Sequence, residues 1–197
     1  MEEKTFVDDI NRSVYDIKNE ENDSYRIKQG LTPEIVEKIS EEKHDPAWMR
    51  EFRLKSLEIY NNMQVPDWGP SIDGLNMDNI ATYVRANTNM KGDWKDVPEE
   101  IKDTFDRLGI PKAERESLAG VGAQYDSELV YHNVRKEVAD QGVVYTDMES
   151  ALTGEYADMV HEHFMKLITP QDHKFAALHG AVWSLSLIHI SEPTRPY

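Results

Sequence analysis

ERESLAGVGAQYDSELVYHN, running from Glu114 to Asn133, is the stretch on which the fold of this chain turns. Its opening reads as a short helix around Lys112–Leu118 that ends at a flexible Gly120-Val121-Gly122 turn. Leu129–His132 is short and rich in β-prone side chains, which predicts a strand. Asn133 is placed to cap a helix over Val134–Gln141, Gly142 to end it, and Val143–Thr146 to form a second strand. Strand, short helix and strand within one compact unit imply a parallel pair joined by a right-handed crossover.

The flanks on both sides are helical. Residues 1–30 are polar and weakly patterned, with Phe6, Val7, Ile10, Val14, Tyr15 and Ile17 as the apolar positions of a frayed or docking helix that Gly30 breaks. Thr32 then offers an N-cap with Pro33 at the first helical position, and Ile35, Val36 and Ile39 make a short apolar face. Asp45 and Pro46 repeat that grammar for a helix carrying Trp48, Met49, Phe52, Leu57 and Tyr60 at helical spacing. VPDWGPSIDG, Val65 to Gly74, is a turn-rich connector, and residues 76–96 keep no sustained period. A helix over Pro98–Leu108 presents Ile101, Phe105 and Leu108 on one face, with Gly109 as its left-handed cap. Further on, Asp147 caps a short helix and Tyr156–Leu167 forms a longer one with Met159, Val160, Phe164 and Leu167 inward. Thr169 or Asp172 starts a last helix through Phe175, Leu178 and Val182. The fold class is α+β: a mostly helical N-terminal region with a small strand–helix–strand unit. Four segments follow: a polar segment 1–30, a helical region 31–96, an α+β region 97–184 and a tail 185–197.

The Glu114–Asn133 stretch resembles the N-terminal region of the SufB family, the scaffold subunits on which bacteria assemble iron–sulfur clusters. Four other stretches carry the same resemblance in the same order. They are TPEIVEKISEEKHDPAWMREFRLKSL (Thr32–Leu57), WGP (Trp68–Pro70), VPEEIKDTFDRLGIP (Val97–Pro111) and KFAALHGAVWS (Lys174–Ser184). GVGAQYDSE and KFAALHGAVWS favour the scaffold subunit over its paralogue SufD. The resemblance implies a cytoplasmic complex with the ATPase SufC and with SufD, and a right-handed parallel β-helix following this region. It also implies that the cluster-related cysteine and acidic residues and the ATPase contact lie in that later part, so none transfers to a position here. Gln124, Tyr125, Asp126, Tyr131 and His132 carry over as family signature without an assigned chemical role. Past Ser184 the resemblance stops. Leu185–Arg195 reads as the in-frame translation of a transposase adapter from sequencing libraries, so residues 185–197 are set aside and the chain is expected to be truncated before the β-helix. If Phe175, Leu178 and Trp183 normally pack on that β-helix, they should form an exposed apolar patch.

Composition narrows the function classes. The 197 residues carry a formal net charge of −15, a surface that repels phosphate backbones, so nucleic acid is excluded as an expected partner. No apolar run is long enough to span a bilayer, and the N-terminus has acids where a signal peptide needs bases, which points to the cytoplasm and away from membranes. Zero cysteines remove disulfides and thiolate ligation. The chain is therefore expected to hold no cluster with its own sulfur.

Motifs that invite a chemical reading fail on spacing. Gly120-Val121-Gly122 lacks the third glycine of a dinucleotide fingerprint, since Tyr125 stands there, and no Gly-Lys-Ser/Thr follows. His161 and His163 lie two residues apart, and on a helix such residues point about 200° from one another, so they cannot chelate one ion. His173 and His179 add to the cluster, but the His-Glu-x-x-His spacing is absent. His132 becomes a tuned base only with a carboxylate such as Asp126 or Glu128 in reach. No catalytic, cofactor-binding or metal-ligating residue is assigned, and the chain is expected not to be an enzyme. Two other readings remain: a cysteine-free acidic helical interaction module, and a small metal-dependent hydrolase built on His161, His163 and His173.

Overall fold

The computed structural model describes residues 23–69, 71–86, 91, 93–107, 120–125 and 127–190. The Lys112–Leu118 helix, the Gly109 cap, Asp126 and residues 1–22 of the helix expected over residues 1–30 lie outside them, while the described end of that segment, Asp23–Arg26, is a strand because it pairs with Val84–Ala86. The helical layer begins where Gly30, at φ +115°, turns the chain after strand β1 (Asp23–Arg26). Helix α1 (Pro33–Glu42) starts as expected: Thr32 Oγ1 accepts from the Ile35 amide at 3.4 Å, and Pro33 occupies the first turn. Helix α2 (Ala47–Asn62) does not start as expected. Pro46 is its N-cap and makes no side-chain capping bond, because the Asp45 carboxylate is turned inward to Arg53. A buried guanidinium competes for that carboxylate better than a solvent-facing amide does.

Helix α2 lies between α1 and the last helix, α7 (Lys174–Val182). The approach to α7 is close at Gly180, where an added Cβ would sit 2.6 Å from Ser56 Oγ. Val36, Leu57 and Ala181 fill one part of this layer, and Ile27, Ile35, Ile39 and Tyr83 another. Met49, Ala151, Leu152, Val160 and Trp183 form a third cluster, lined by Trp48, Phe52 and Phe164. These contacts join residues far apart in sequence into one packed body.

Strands occur in antiparallel pairs. β1 pairs with β2 (Val84–Ala86), and β3 (Gly120–Tyr125) pairs with β4 (Glu128–Val134) across a two-residue connection. The Gly120–Gly122 segment is thus strand rather than flexible turn. β4 is followed by the short helix α4 (Lys136–Ala139) and by β5 (Val144–Asp147), so the strand–helix–strand order is present. The expected parallel pairing is not. β4 takes β3 as its partner, because a two-residue connection suffices for an antiparallel hairpin and a parallel pair needs a long crossover. Asn133 also stays in β4, which leaves Arg135 as the N-cap of α4, while Gly142 at φ +82° ends that turn as anticipated. β5 pairs with β6 (Leu187–Ile190), so the segment set aside as a tail supplies a strand. Its apolar, β-branched run satisfies backbone groups of β5 that would otherwise form an open edge.

Helix α3 (Glu99–Arg107) rests Ile101 against Val97, Ala123, Val130 and Tyr131, with Trp94 and Phe105 alongside. Asp147 caps α5 (Met148–Thr153) through the Ser150 amide at 2.8 Å. Helix α6 (Ala157–His163) stops four residues short of the expected end. Phe164 leaves the helix to pack edge-on against Trp48 and Phe52, Met165 takes φ +48°, and Leu167 is 99% exposed instead of inward. Met159 is exposed as well. His173, rather than Thr169 or Asp172, caps α7, its Nδ1 accepting from the Ala176 amide at 3.1 Å.

Candidate functional site

The densest arrangement of charge is built around Lys43, the residue that closes α1. Only 4% of its side chain is exposed, and its ammonium lies 3.2 Å from Glu128 Oε2 and 2.6 Å from Glu149 Oε2. Glu128 opens β4, and Glu149 sits in the first turn of α5. The Tyr83 hydroxyl donates to the other Glu128 oxygen in a short hydrogen bond. Burial and the adjoining Glu128 carboxylate both push the Tyr83 phenol pKa well up. Arg85, on β2, donates from Nε to the Tyr83 oxygen at 3.2 Å and from Nη2 to the Glu42 carbonyl at 3.0 Å and carboxylate at 3.2 Å. Three carboxylates and two cations thus face a cavity of about 470 Å³ whose wall also includes His44, Asp147 and Ser184.

Each cation in this network meets carboxylates, and each link crosses between elements: α1 to β4, α1 to α5, β2 to α1, β2 to β4. The arrangement fixes the β3–β4 hairpin on the helical layer. A buried ammonium between two carboxylates specifies one docking geometry, because any slip leaves a desolvated charge without its partner. The chemistry on offer is positioning. Sequence reading missed Lys43, Tyr83, Arg85, Glu128 and Glu149 as a group. The available signal was that Lys43 and Glu128 both lie inside family-like stretches, but a lysine after two glutamates looks like an ordinary helix end.

The residues singled out from sequence are dispersed. His132 stacks on Tyr145 at 5.1 Å with 22° between the rings, and its buried Nε2 has no hydrogen-bond partner among the described residues. Its proposed carboxylate Glu128 is engaged by Lys43 and Tyr83 instead. Tyr131 is buried and meets Trp94 edge-on at 5.3 Å, while Tyr125 packs on the same cluster and Gln124 pairs with Leu129 in the hairpin. His161 lies on Trp48 at 4.5 Å, and His173 caps α7. His163, His173 and His179 do line one surface groove, and His161 is not among its lining residues. No three His, Asp or Glu side chains among the described residues are placed to hold a metal ion. No helix among them is long and apolar enough to cross a membrane. Trp183, expected as a candidate for exposure, is 5% exposed, pinned between Phe164 and the Arg53 guanidinium 4.5 Å from its ring. Phe175 and Leu178 are half-buried.

A core assembled from segments this distant holds β4, the strand within the family-like stretch, in place through a buried ion network. Comparison with known proteins gives the family. The chain is 50% identical over 176 residues to the iron–sulfur cluster assembly protein SufB of Bacillus subtilis, 89% of this chain and 38% of that protein. Iron–sulfur cluster assembly SufBD family proteins of Staphylococcus haemolyticus and Staphylococcus aureus match the same length at 45% and 44% identity. No family model matches the chain. Over these 176 residues the chain belongs to the SufBD family, on the SufB side of it, and it spans 38% of the length of the relatives it matches.

Proposed function

We propose that this chain serves as the N-terminal part of a SufB-type scaffold in iron–sulfur cluster assembly. Fifty per cent identity to a SufB along 89% of the chain carries the reading. In this role the chain contributes a folded platform rather than chemistry. It ligates no cluster and catalyses no reaction, and the cluster is cargo held by residues elsewhere in a SufB-type protein. The buried Lys43–Glu128–Tyr83 contacts give the platform its rigidity. Its partners are a SufC-type ATPase and a SufD-type paralogue, in the cytoplasm, with no nucleic acid and no membrane.

The test is replacement in a living cell. The matched segment of Bacillus subtilis SufB is exchanged for the 176 residues of this chain that match it, and the activity of a cluster-dependent enzyme such as aconitase is measured after depletion of the native copy. Retained activity supports the reading. Loss of activity with normal abundance of the hybrid would sink it, as would full rescue by the 197-residue chain expressed alone.

A further inference from the structure

The face that α6, α7 and their connection present to solvent carries an open hollow of about 530 Å³. Met165, Leu167, Ile168, Phe175 and Ala176 give it an apolar wall, in which Leu167 is 99% and Ile168 63% exposed. Small-molecule sites run from about 300 to 1,000 Å³ and set a few polar groups into an apolar lining, and this hollow has both properties. A second hollow of about 270 Å³ shares Met165 and Lys166 with it and adds Lys55.

The wall is held in one shape. Phe164 donates its amide to the Val160 carbonyl at 2.8 Å while its ring packs against the core. Met165 holds φ +48°, strained backbone of the kind that persists at ligand clamps. At the far end the Asp172 carboxylate accepts from the Thr169 amide, and Pro170 between them is buried. The loop that displays Leu167 and Ile168 is therefore fixed at both ends.

Charge sets this face apart from the others. The chain carries 37 aspartates and glutamates, yet neither hollow has one among its described lining residues. By contrast, the cavity around Lys43 has Glu42, Glu128, Asp147 and Glu149 in its wall, and a hollow beside Pro33 has Glu58. The ionisable groups here are Lys166, His163, His173 and His179. Because His173 Nδ1 accepts from the Ala176 amide, its neutral ring keeps its proton on Nε2, which makes that atom a donor. Burial and the Arg53 cation lower the His179 pKa, so its ring too is neutral at pH 7, with one N–H to donate. One ammonium among neutral donors suits a single negative charge. No arginine stands among the described lining residues to offer the paired donors that a phosphate takes.

We infer that this hollow is a binding site for a small hydrophobic carboxylate, its hydrocarbon body lying on Met165, Leu167, Ile168 and Phe175 and its charge meeting Lys166 and the imidazole donors. The apolar wall supplies the affinity for the body, and the acid-free lining selects the sign of the head. A second copy of the chain is the poorer occupant, since two bodies of charge −15 repel.

Methyl NMR of the 197-residue chain tests it with laurate and dodecylammonium, two probes of equal tail and opposite charge, both kept below micelle formation. Laurate is expected to shift the Met165, Leu167 and Ile168 methyls saturably, and to bind at least about ten-fold tighter than dodecylammonium. The net charge of −15 favours the cation at the protein surface as a whole, so a preference for laurate reports this site. Lys166→Glu, at an exposed position, should leave the melting temperature unchanged and remove that preference. Tighter binding of dodecylammonium overturns the inference, as does a laurate titration that does not saturate. Shifts that spread equally to the buried Leu129 and Val130 methyls, or a laurate affinity unchanged in Lys166→Glu, overturn it as well.

Discussion

Replacing Arg53 with methionine should be among the most damaging single changes available to this chain. The guanidinium is wholly buried beside an equally buried Asp45, with Nε 2.6 Å from Oδ2. Its Nη1 donates to the Trp183 carbonyl at 2.7 Å and the Ala181 carbonyl at 3.4 Å, and its face lies on the Trp183 ring. Arg53 thereby ties the start of α2 to the end of α7. Methionine keeps the apolar stem, so the loss is electrostatic: a buried carboxylate without its cation and two carbonyls without a donor. Breaking one side of such a pair costs about 3–5 kcal/mol, a large share of a total stability of about 5–15 kcal/mol. For a chain of this size each kcal/mol moves the midpoint by roughly 2–4 °C, so the melting temperature should fall by about 6–20 °C. Urea unfolding followed by tryptophan fluorescence measures the same loss at fixed temperature. Arg53→Met combined with Asp45→Asn should recover part of it, because the stranded charge is gone. An Arg53→Met protein that melts within about 2 °C of the parent, or a double variant that loses the sum of the two single losses, refutes this account of how α2 and α7 are joined.

Other outcomes follow from neighbouring contacts. Glu128→Gln removes the charge that faces Lys43 and accepts from Tyr83, and should cost about 1–3 kcal/mol in urea unfolding, with Glu149 still holding the lysine. Gly180→Ala sets a methyl 2.6 Å from Ser56 Oγ and 3.0 Å from its Cβ, and should destabilise by about 1–3 kcal/mol. Ser56→Ala should recover only part of that cost, since the Cβ contact remains. His179 is exposed over much of its surface, yet partial burial of its ring, aided by the Arg53 cation, lowers its pKa below the usual 6.5. The folded state therefore binds fewer protons than the unfolded one in that window. The stabilisation is present above pH 6.5 and lost as pH falls through the lowered value. Melting temperatures between about pH 5 and 8 should show a limb that His179→Gln flattens.

The parts of the fold written in local chemistry were legible. Thr32-Pro33 starts α1, Gly142 takes positive φ after α4, and Asp147 caps α5, each through groups within four residues of one another. Family resemblance supplied what local rules could not, the class of protein. Errors arose wherever a distant partner outbid a near one. Asp45 had the look of an N-cap and went to Arg53, while Leu129–His132 had a plausible parallel partner in Val143–Thr146 and took the preceding strand instead. Leu167 matched the helical period of Met159, Val160 and Phe164, but the aromatic cluster drew Phe164 out of the helix and ended the period there.

The candidate site was illegible for the same reason in stronger form. Lys43, Tyr83, Glu128 and Glu149 lie far apart along the chain, and each has an unremarkable neighbourhood in sequence. Their meeting depends on helix α1 ending where β4 begins its course across the layer. Glu128 nevertheless lies in the stretch that carries the family resemblance, and the structure gives that stretch a physical reading. Tyr131 and Val130 face a buried aromatic cluster, and Glu128 holds the hairpin to the helices through a desolvated lysine. Two kinds of contact, apolar in the middle of β4 and ionic at its start, therefore set the hairpin against the helical layer. A hydrophobic face alone tolerates small slips between layers. The buried ion pair does not, which makes Glu128 the residue whose loss should loosen the hairpin while leaving the three helical clusters packed.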